Sequence, residues 1–156
     1  MRTIALLLVA AAACSSTHSK KTIAGDEARQ LLIDRNWIDR MPETDRDRLH
    51  VYRFVPTMGG GVFQDRTIFK GTFELFMFET TDKEIRFVLP ETHERVTSAY
   101  RIETVDGPAP FDLKLTIDGD PRGPKTYFGV RAETDRDGHL LEQDLRAAQA
   151  ARPARH

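Results

Sequence analysis

Apolar and polar residues alternate along most of the middle of this chain, which is typical of β-strands with one buried face and one wet face. The alternation is clearest at residues 111–118, where Phe111, Leu113, Leu115 and Ile117 are separated by polar side chains. Glycine, proline and charged residues interrupt the pattern at short intervals and predict turns. The pattern predicts strands at residues 49–55, 62–70, 71–79, 84–89, 96–105, 111–118 and 125–131.

Two segments outside this region have helical spacing instead. Residues 25–33 begin with acidic side chains and continue into Leu31 and Leu32, as expected for a short helix with its negative charges at the N-terminal end. After residue 138, Leu141 and Leu145 fall on one helical face. We therefore expect a short helix before the strands and a second helix after them.

These elements predict an all-β fold, a small up-and-down antiparallel β-barrel of seven or eight strands with a short N-terminal helix and a C-terminal helix. Short connections favour pairing between strands that are neighbours in the chain. Closure of the sheet removes the edges that so many apolar strands would expose. A barrel of about eight strands has room for packed side chains or for one small ligand.

The first fourteen residues have the layout of a secretory signal peptide: Arg2, an apolar stretch at residues 4–13, and then Cys14. The apolar stretch is about half the roughly 20 residues that a membrane-spanning helix needs. Three alanines before Cys14 resemble the lipobox of bacterial lipoproteins. The resemblance implies lipidation of Cys14, with palmitate among the acyl chains, and a stable membrane anchor. Ordinary cleavage that leaves Cys14 as a free thiol is the alternative.

Ser15 follows the cysteine, where aspartate would retain an enteric-type lipoprotein in the inner membrane. We therefore expect a lipid-anchored protein of the bacterial cell envelope, on the outer membrane and facing the periplasm. The predicted organisation is a signal peptide at 1–13, a lipidated N-terminus and flexible tether at 14–23, a barrel at 24–134, and a C-terminal helix with a disordered basic tail at 135–156.

Composition excludes several classes of function. Removing residues 1–13 takes away Arg2 and leaves 22 basic against 24 acidic side chains, so no field of one sign favours nucleic acid. Cys14 is the only cysteine, so an internal disulfide or a cysteine-rich metal site is impossible. The histidines lack ligand spacing, and no nucleophile motif is found. We expect no catalytic residue, no metal and no cofactor, although carboxylates at a barrel mouth leave a hydrolase or isomerase open.

Residues 31–37, Leu-Leu-Ile-Asp-Arg-Asn-Trp, resemble the opening of lipocalin-like (calycin-type) barrels. There a short helix leads into a first strand with a Gly-x-Trp signature. Trp37 stands where that tryptophan would, while Arg35 replaces the glycine. In lipocalins an arginine near the last strand packs over the tryptophan, and the resemblance makes Arg131 the first candidate for that role and Arg122 the second. Trp37 as a large core aromatic without that role is the alternative.

The resemblance implies a barrel that binds or carries a small apolar or amphipathic ligand. The candidate cavity residues are Phe54, Phe73, Phe87, Tyr100 and Phe111, and the candidate mouth elements are the turns at 58–61 and 81–83. The same aromatics could equally fill a solid core. We therefore expect a non-enzymatic, membrane-anchored envelope lipoprotein with the membrane and a small apolar ligand as partners. The alternative is a structural or protein-interaction lipoprotein with a filled barrel.

Overall fold

The computed structural model describes residues 20–107, 110–132 and 140–150. The predicted signal peptide, Cys14 and the end of the basic tail lie outside the described residues. A short 3-10 turn at Pro56–Met58 joins the third and fourth strands. The elements are β1 (Thr22–Ile23), α1 (Gly25–Leu32), β2 (Asn36–Ile38), β3 (Leu49–Val55), β4 (Gly60–Arg66), β5 (Gly71–Thr80), β6 (Glu84–Leu89), β7 (Glu94–Thr104), β8 (Leu113–Asp118), β9 (Thr126–Gly129) and α2 (Leu140–Ala150).

Strands β2 to β9 form one closed antiparallel barrel of eight strands. Each strand pairs with its neighbours in the chain, and β9 returns to β2 through the pair Phe128 and Ile38. The up-and-down order follows from the short connections, and the closure leaves no long unpaired edge. The predicted fold class is therefore confirmed, with eight strands in the ring and a helix on either side of them in the chain.

Strand β1 lies beside the ring. Thr22 pairs with Glu103 and Ile23 pairs with Ile102, in the part of β7 that extends past the end of β6. The Ile23 side chain is 5% exposed and belongs to the inner core. The chain is thus attached to the barrel wall before α1 begins.

Aromatic side chains from four strands fill the middle of the barrel. The Tyr52 ring centroid lies 5.1 Å from that of Tyr127 and 6.0 Å from that of Phe87. The Phe76 ring lies 5.6 Å from Phe54 and 5.6 Å from Phe87. At these separations the rings are in contact, and all five side chains are almost completely buried.

This packing requires a glycine on β4. Gly61 pairs with Phe54 on one side and with Phe76 on the other. A β-carbon at Gly61 would collide with the Phe76 ring and would lie 2.7 Å from the carbonyl oxygen of Arg53. The glycine run that predicted a turn therefore also lets an aromatic ring pass close to the barrel wall.

Helix α1 covers one end of the barrel, named the closed end and defined by α1 and the turns at 56–59 and 81–83. The amide of Asp34 donates to the carbonyl of Phe54 at 2.8 Å, which fixes the helix beside the end of β3. The buried side of α1 carries Ala28, Leu31 and Leu32, which join the inner core. The helix therefore acts as an apolar plug.

Helix α2 packs on the outside of the barrel. Leu141 and Leu145 are buried against Ile38, Leu49 and Val51, whose side chains point outward from β2 and β3. This second apolar cluster explains why β3 is buried on both faces. Neither of the two described helices combines the length and apolar character needed to cross a bilayer.

Candidate functional site

The opposite end of the barrel, named the polar end, is defined by the loops 39–48 and 119–125 and the turns 67–70 and 90–93. Asp120 is its centre. Its carboxylate accepts hydrogen bonds from the hydroxyls of Tyr52 at 2.8 Å and of Tyr127 at 2.5 Å. It also accepts from the amides of Arg122 at 2.9 Å and Lys125 at 3.1 Å. One half-buried carboxylate thus holds the 119–125 loop and two barrel side chains together.

These contacts change the acidity of both tyrosines. Burial is the main cause that raises the pKa of Tyr52 above its ordinary value, and the negative charge of Asp120 raises it further. The pKa of Tyr127 is raised for the same two reasons in the same order. Both hydroxyls therefore remain protonated donors to Asp120 and are poor candidates for proton transfer.

A second pair lies beside this centre. The Arg122 guanidinium forms an ion pair with the inward-facing carboxylate of Glu74, and it lies 5.5 Å from the centroid of the Phe63 ring. The Arg122 side chain is only 13% exposed. A cation over an aromatic face and next to a carboxylate is stabilised by both.

His50 forms the third part of the polar end. Its Nδ1 lies 2.8 Å from Asp39 Oδ2, and its backbone amide donates to Asp39 Oδ1 at 2.7 Å. On the other side of the ring, Nε2 lies 3.9 Å from Asp65 Oδ1. The ring also stacks on Phe63 with 5.7 Å between centroids. The Asp39 side chain is 5% exposed, so its contact with Nδ1 fixes the orientation of the imidazole.

An open cleft lies next to His50. Arg48 closes one side of it by donating two hydrogen bonds to the Asp65 carboxylate, one of them 2.9 Å long. Asp47 accepts from the amides of Glu43 at 2.7 Å and Thr44 at 2.9 Å, which orders the loop that forms the other side. The cleft is lined by Arg40, Met41, Glu43, Asp47, Arg48, His50 and Asp65.

Chemically, this arrangement presents one oriented imidazole between two carboxylates. Its Nε2 can form a hydrogen bond with a polar group in the cleft. Asp65 is already engaged by Arg48, and the two tyrosines are held by Asp120. Within the described ranges, no group of three or more acidic, histidine or cysteine residues has the arrangement of a metal site.

Three of the five predicted cavity residues face the interior of the barrel. Phe54 and Phe87 belong to the contacting aromatic rings, with 0% and 1% of their surfaces exposed. Tyr100 is 6% exposed, and its hydroxyl donates to the carbonyl of Thr81 at 2.9 Å. The structure therefore brings these three together as parts of a packed interior.

Contrary to the prediction, the other two residues, Phe73 and Phe111, lie outside the barrel interior. Phe73 is 69% exposed on the outer face of β5, because the register of β5 points its neighbours Glu74 and Phe76 inward. Phe111 is buried outside the barrel, in the cluster beneath α2 with Leu141. It precedes β8, so the alternation that predicted an inward side chain does not extend to it.

At the closed end, Trp37 is completely buried, and its indole Nε1 donates to the carbonyl of Leu32 at 3.0 Å. Contrary to the prediction, Arg131 does not pack over Trp37, because it is exposed and pairs with Glu27 at 2.8 Å. The buried arginine beside Trp37 is Arg35, which replaces the expected glycine.

The position of Arg35 is fixed by carbonyl groups. Its Nε donates to Leu31 at 3.0 Å, and its Nη1 donates to Val130 and to Arg131. A β-carbon at Gly129 would lie 3.0 Å from the Trp37 ring and 3.2 Å from Arg35 Cδ, so both side chains pack against this glycine. The turns at 58–61 and 81–83, expected at a mouth, also lie at this closed end.

Sequence reasoning missed the polar end. The signal that the sequence offers is the alternation in β3, which places Tyr52 on the same face as Phe54. Nothing in the sequence shows that Asp120 meets Tyr52 across 68 positions, since that contact depends on barrel closure. His50 and Asp39 are likewise brought together only by the pairing of β2 and β3.

The outer face of β5 is a second candidate region. Phe73, Leu75 and Met77 alternate along it and are 69%, 55% and 51% exposed. Val62 on β4 lies opposite Leu75, and Val88 on β6 lies opposite Met77. These five side chains are named the β5 patch.

Comparisons with models of known families, with curated proteins and with solved structures find no match for this chain. The closed ring of eight antiparallel strands is compatible with a calycin-like fold.

Proposed function

We propose that this chain is a non-enzymatic, membrane-anchored lipoprotein of the bacterial cell envelope whose filled barrel acts through its outer surface. The observation that carries the proposal is the contact among the rings of Tyr52, Phe54, Phe76, Phe87 and Tyr127 in the middle of the barrel. These rings occupy the space that a lipocalin-like carrier would offer to an apolar ligand. The alternative of a structural or interaction protein is therefore favoured over the carrier.

The interior is tested by titrating the protein with a long-chain fatty acid and measuring heat. We expect no one-to-one binding by the wild type, because the five buried rings are in contact where the ligand would have to lie. Phe87→Ala removes a buried ring and is expected to create a site, while the matched control Phe73→Ala, at an exposed ring, is not. One-to-one binding by the wild type that Phe87→Trp abolishes would show a hollow barrel and contradict the proposal.

The anchor is tested separately. Mass spectrometry of the mature N-terminus from envelope membranes should show Cys14 as the first residue with three acyl chains. Its support is the apolar stretch of residues 4–13 directly before that cysteine. An unmodified Cys14 thiol would remove the lipoprotein and outer-membrane parts of the proposal and leave the filled barrel unaffected.

A second candidate, binding of a small amphipathic ligand, is favoured by the cleft beside His50 at the polar end. The cleft offers His50 Nε2 and the Arg48–Asp65 pair as polar contacts. Binding there should be weakened by His50→Ala and unaffected by Phe87→Ala. Loss of binding in both variants would place the ligand elsewhere and reject the cleft as the site.

A further inference from the structure

Exposed apolar side chains are concentrated on one side of the barrel. Within the described residues, six large apolar side chains are exposed, and three of these belong to the β5 patch. Met58 and Phe69 extend the patch at its two ends, in the turns before β4 and before β5, with 71% and 64% exposure. Only Leu140 lies elsewhere, on α2. A concentration of this kind on a protein surface marks an interaction site.

The strand register adds a charged border to the patch. In one row, Leu75 pairs with Val62, which pairs with Arg53. In the other row, Met77 pairs with Val88, which pairs with the exposed Arg95. Arg53 is half-buried whereas Arg95 is exposed, so Arg95 is the cation that this border offers to a ligand.

This arrangement favours a lipid surface. An arginine beside apolar side chains can extend its guanidinium to a phosphate while its neighbours enter the acyl boundary. A protein partner would instead need about 800 Å² of complementary surface, whereas fluid lipid fits around separate protruding side chains. The positive charge of Arg95 is complementary to anionic headgroups.

The proposed anchor brings this surface within reach of the membrane. Cys14 and Thr22 are eight positions apart, and a chain of that length spans at most about 28 Å. Thr22 is already paired with β7, two strands away from β5. The barrel wall therefore stays close to the bilayer that holds the lipid.

We infer that the β5 patch lies against the anionic lipid surface of the membrane to which the chain is anchored. This inference rests on the proposed lipoprotein function, and it names the surface through which the barrel acts. Phe73, Leu75 and Met77 enter the interfacial region, and Arg95 contacts lipid phosphates.

The test uses residues 14–156 with Cys14→Ser, which keeps every described element and removes the anchor. Binding is measured by co-sedimentation with vesicles of phosphatidylcholine alone and with vesicles that also contain phosphatidylglycerol. We expect binding to the anionic vesicles, and the double variant Leu75→Glu/Met77→Glu should weaken it about tenfold or more. The matched control Gln143→Glu/Arg146→Gln changes the net charge equally on exposed α2 positions and should retain binding.

A fluorescent probe on Leu75→Cys, the only cysteine in that chain, adds a direct readout. Its emission should rise with anionic vesicles, whereas the same probe on Gln143→Cys should not respond. Equal binding by the patch variant and the wild type, no binding to anionic vesicles, or a dimer that only the patch variant disrupts would each overturn the inference. None of these outcomes depends on acylation, so failure of the anchor is recognised separately by mass spectrometry.

Discussion

The two ends of the barrel are closed by different chemistry. At the closed end, α1 and Trp37 exclude water with apolar surface, and the charge of Arg35 is satisfied by backbone carbonyls. At the polar end, the charge of Asp120 is satisfied by tyrosine hydroxyls and backbone amides. The closed end therefore stabilises mainly through burial, while the polar end depends on a hydrogen-bond network that responds to pH.

The largest expected effect is at the closed end. Trp37→Ala should lower the free energy of unfolding by about 3–5 kcal/mol, because it leaves a cavity beneath α1 and an unpaired Leu32 carbonyl. Urea unfolding measures the loss. Phe73→Ala, at an exposed aromatic, is the control and should cost less than about 1 kcal/mol. Similar losses for both variants would contradict the assignment of Trp37 to the core.

The two arginines at the closed end are expected to differ next in their effect on stability. Arg35→Ala should destabilise by about 2–3 kcal/mol, since it removes charged donors from carbonyls that are otherwise enclosed. Arg131→Ala should cost about 0–1 kcal/mol, because its pair with Glu27 is exposed. Urea unfolding measures both losses, and a larger loss for Arg131→Ala than for Arg35→Ala would contradict these assignments.

At the polar end, Asp120→Ala should cost about 2 kcal/mol, because two buried hydroxyls and the loop amides lose their acceptor. Asp120→Asn should cost less, since an amide oxygen still accepts. A double-mutant cycle with Tyr127→Phe measures the coupling, for which we expect about 1 kcal/mol. Additive losses would mean that the two side chains act independently.

The smallest effect is a pH dependence confined to the polar end. The pKa of Tyr52 and of Tyr127 is raised by burial and by Asp120, so the unfolded chain loses these protons first. The stability they contribute is present below about pH 10 and falls above it, by about 1.4 kcal/mol per pH unit for each tyrosine. Urea unfolding between about pH 9 and pH 11 should show a shallower loss in Tyr127→Phe. An unchanged slope in that variant would contradict the assignment.

Local pattern predicted the closed end better than the polar end. Trp37 follows α1 within a few residues, and the resemblance to lipocalin-like barrels predicts the helix and the indole together. The Asp120 centre joins β3, β9 and a loop that meet only when the sheet closes. Contacts of that kind depend on register, which alternation alone does not determine.

Strand β5 shows why alternation was insufficient even within one element. Phe76 and Phe78 occupy one face, and Phe73, Leu75 and Met77 occupy the other, so both faces are apolar. Gly61 favours the observed direction, because a β-carbon at this position would collide with the Phe76 ring. A rule that places apolar residues inside cannot choose between two apolar faces.

The short strand β1 determines how a pull on the N-terminus enters the molecule. Thr22 and Ile23 are joined to β7 by two register pairs, and Lys21 adds a bond between its carbonyl and the amide of Thr104. A force applied at the N-terminus would therefore act on the short pairing of β1 with β7 before it reached any strand of the ring. Loss of this pairing would draw Ile23 out of the core and lengthen the segment that precedes the barrel, while the eight-strand ring stayed closed.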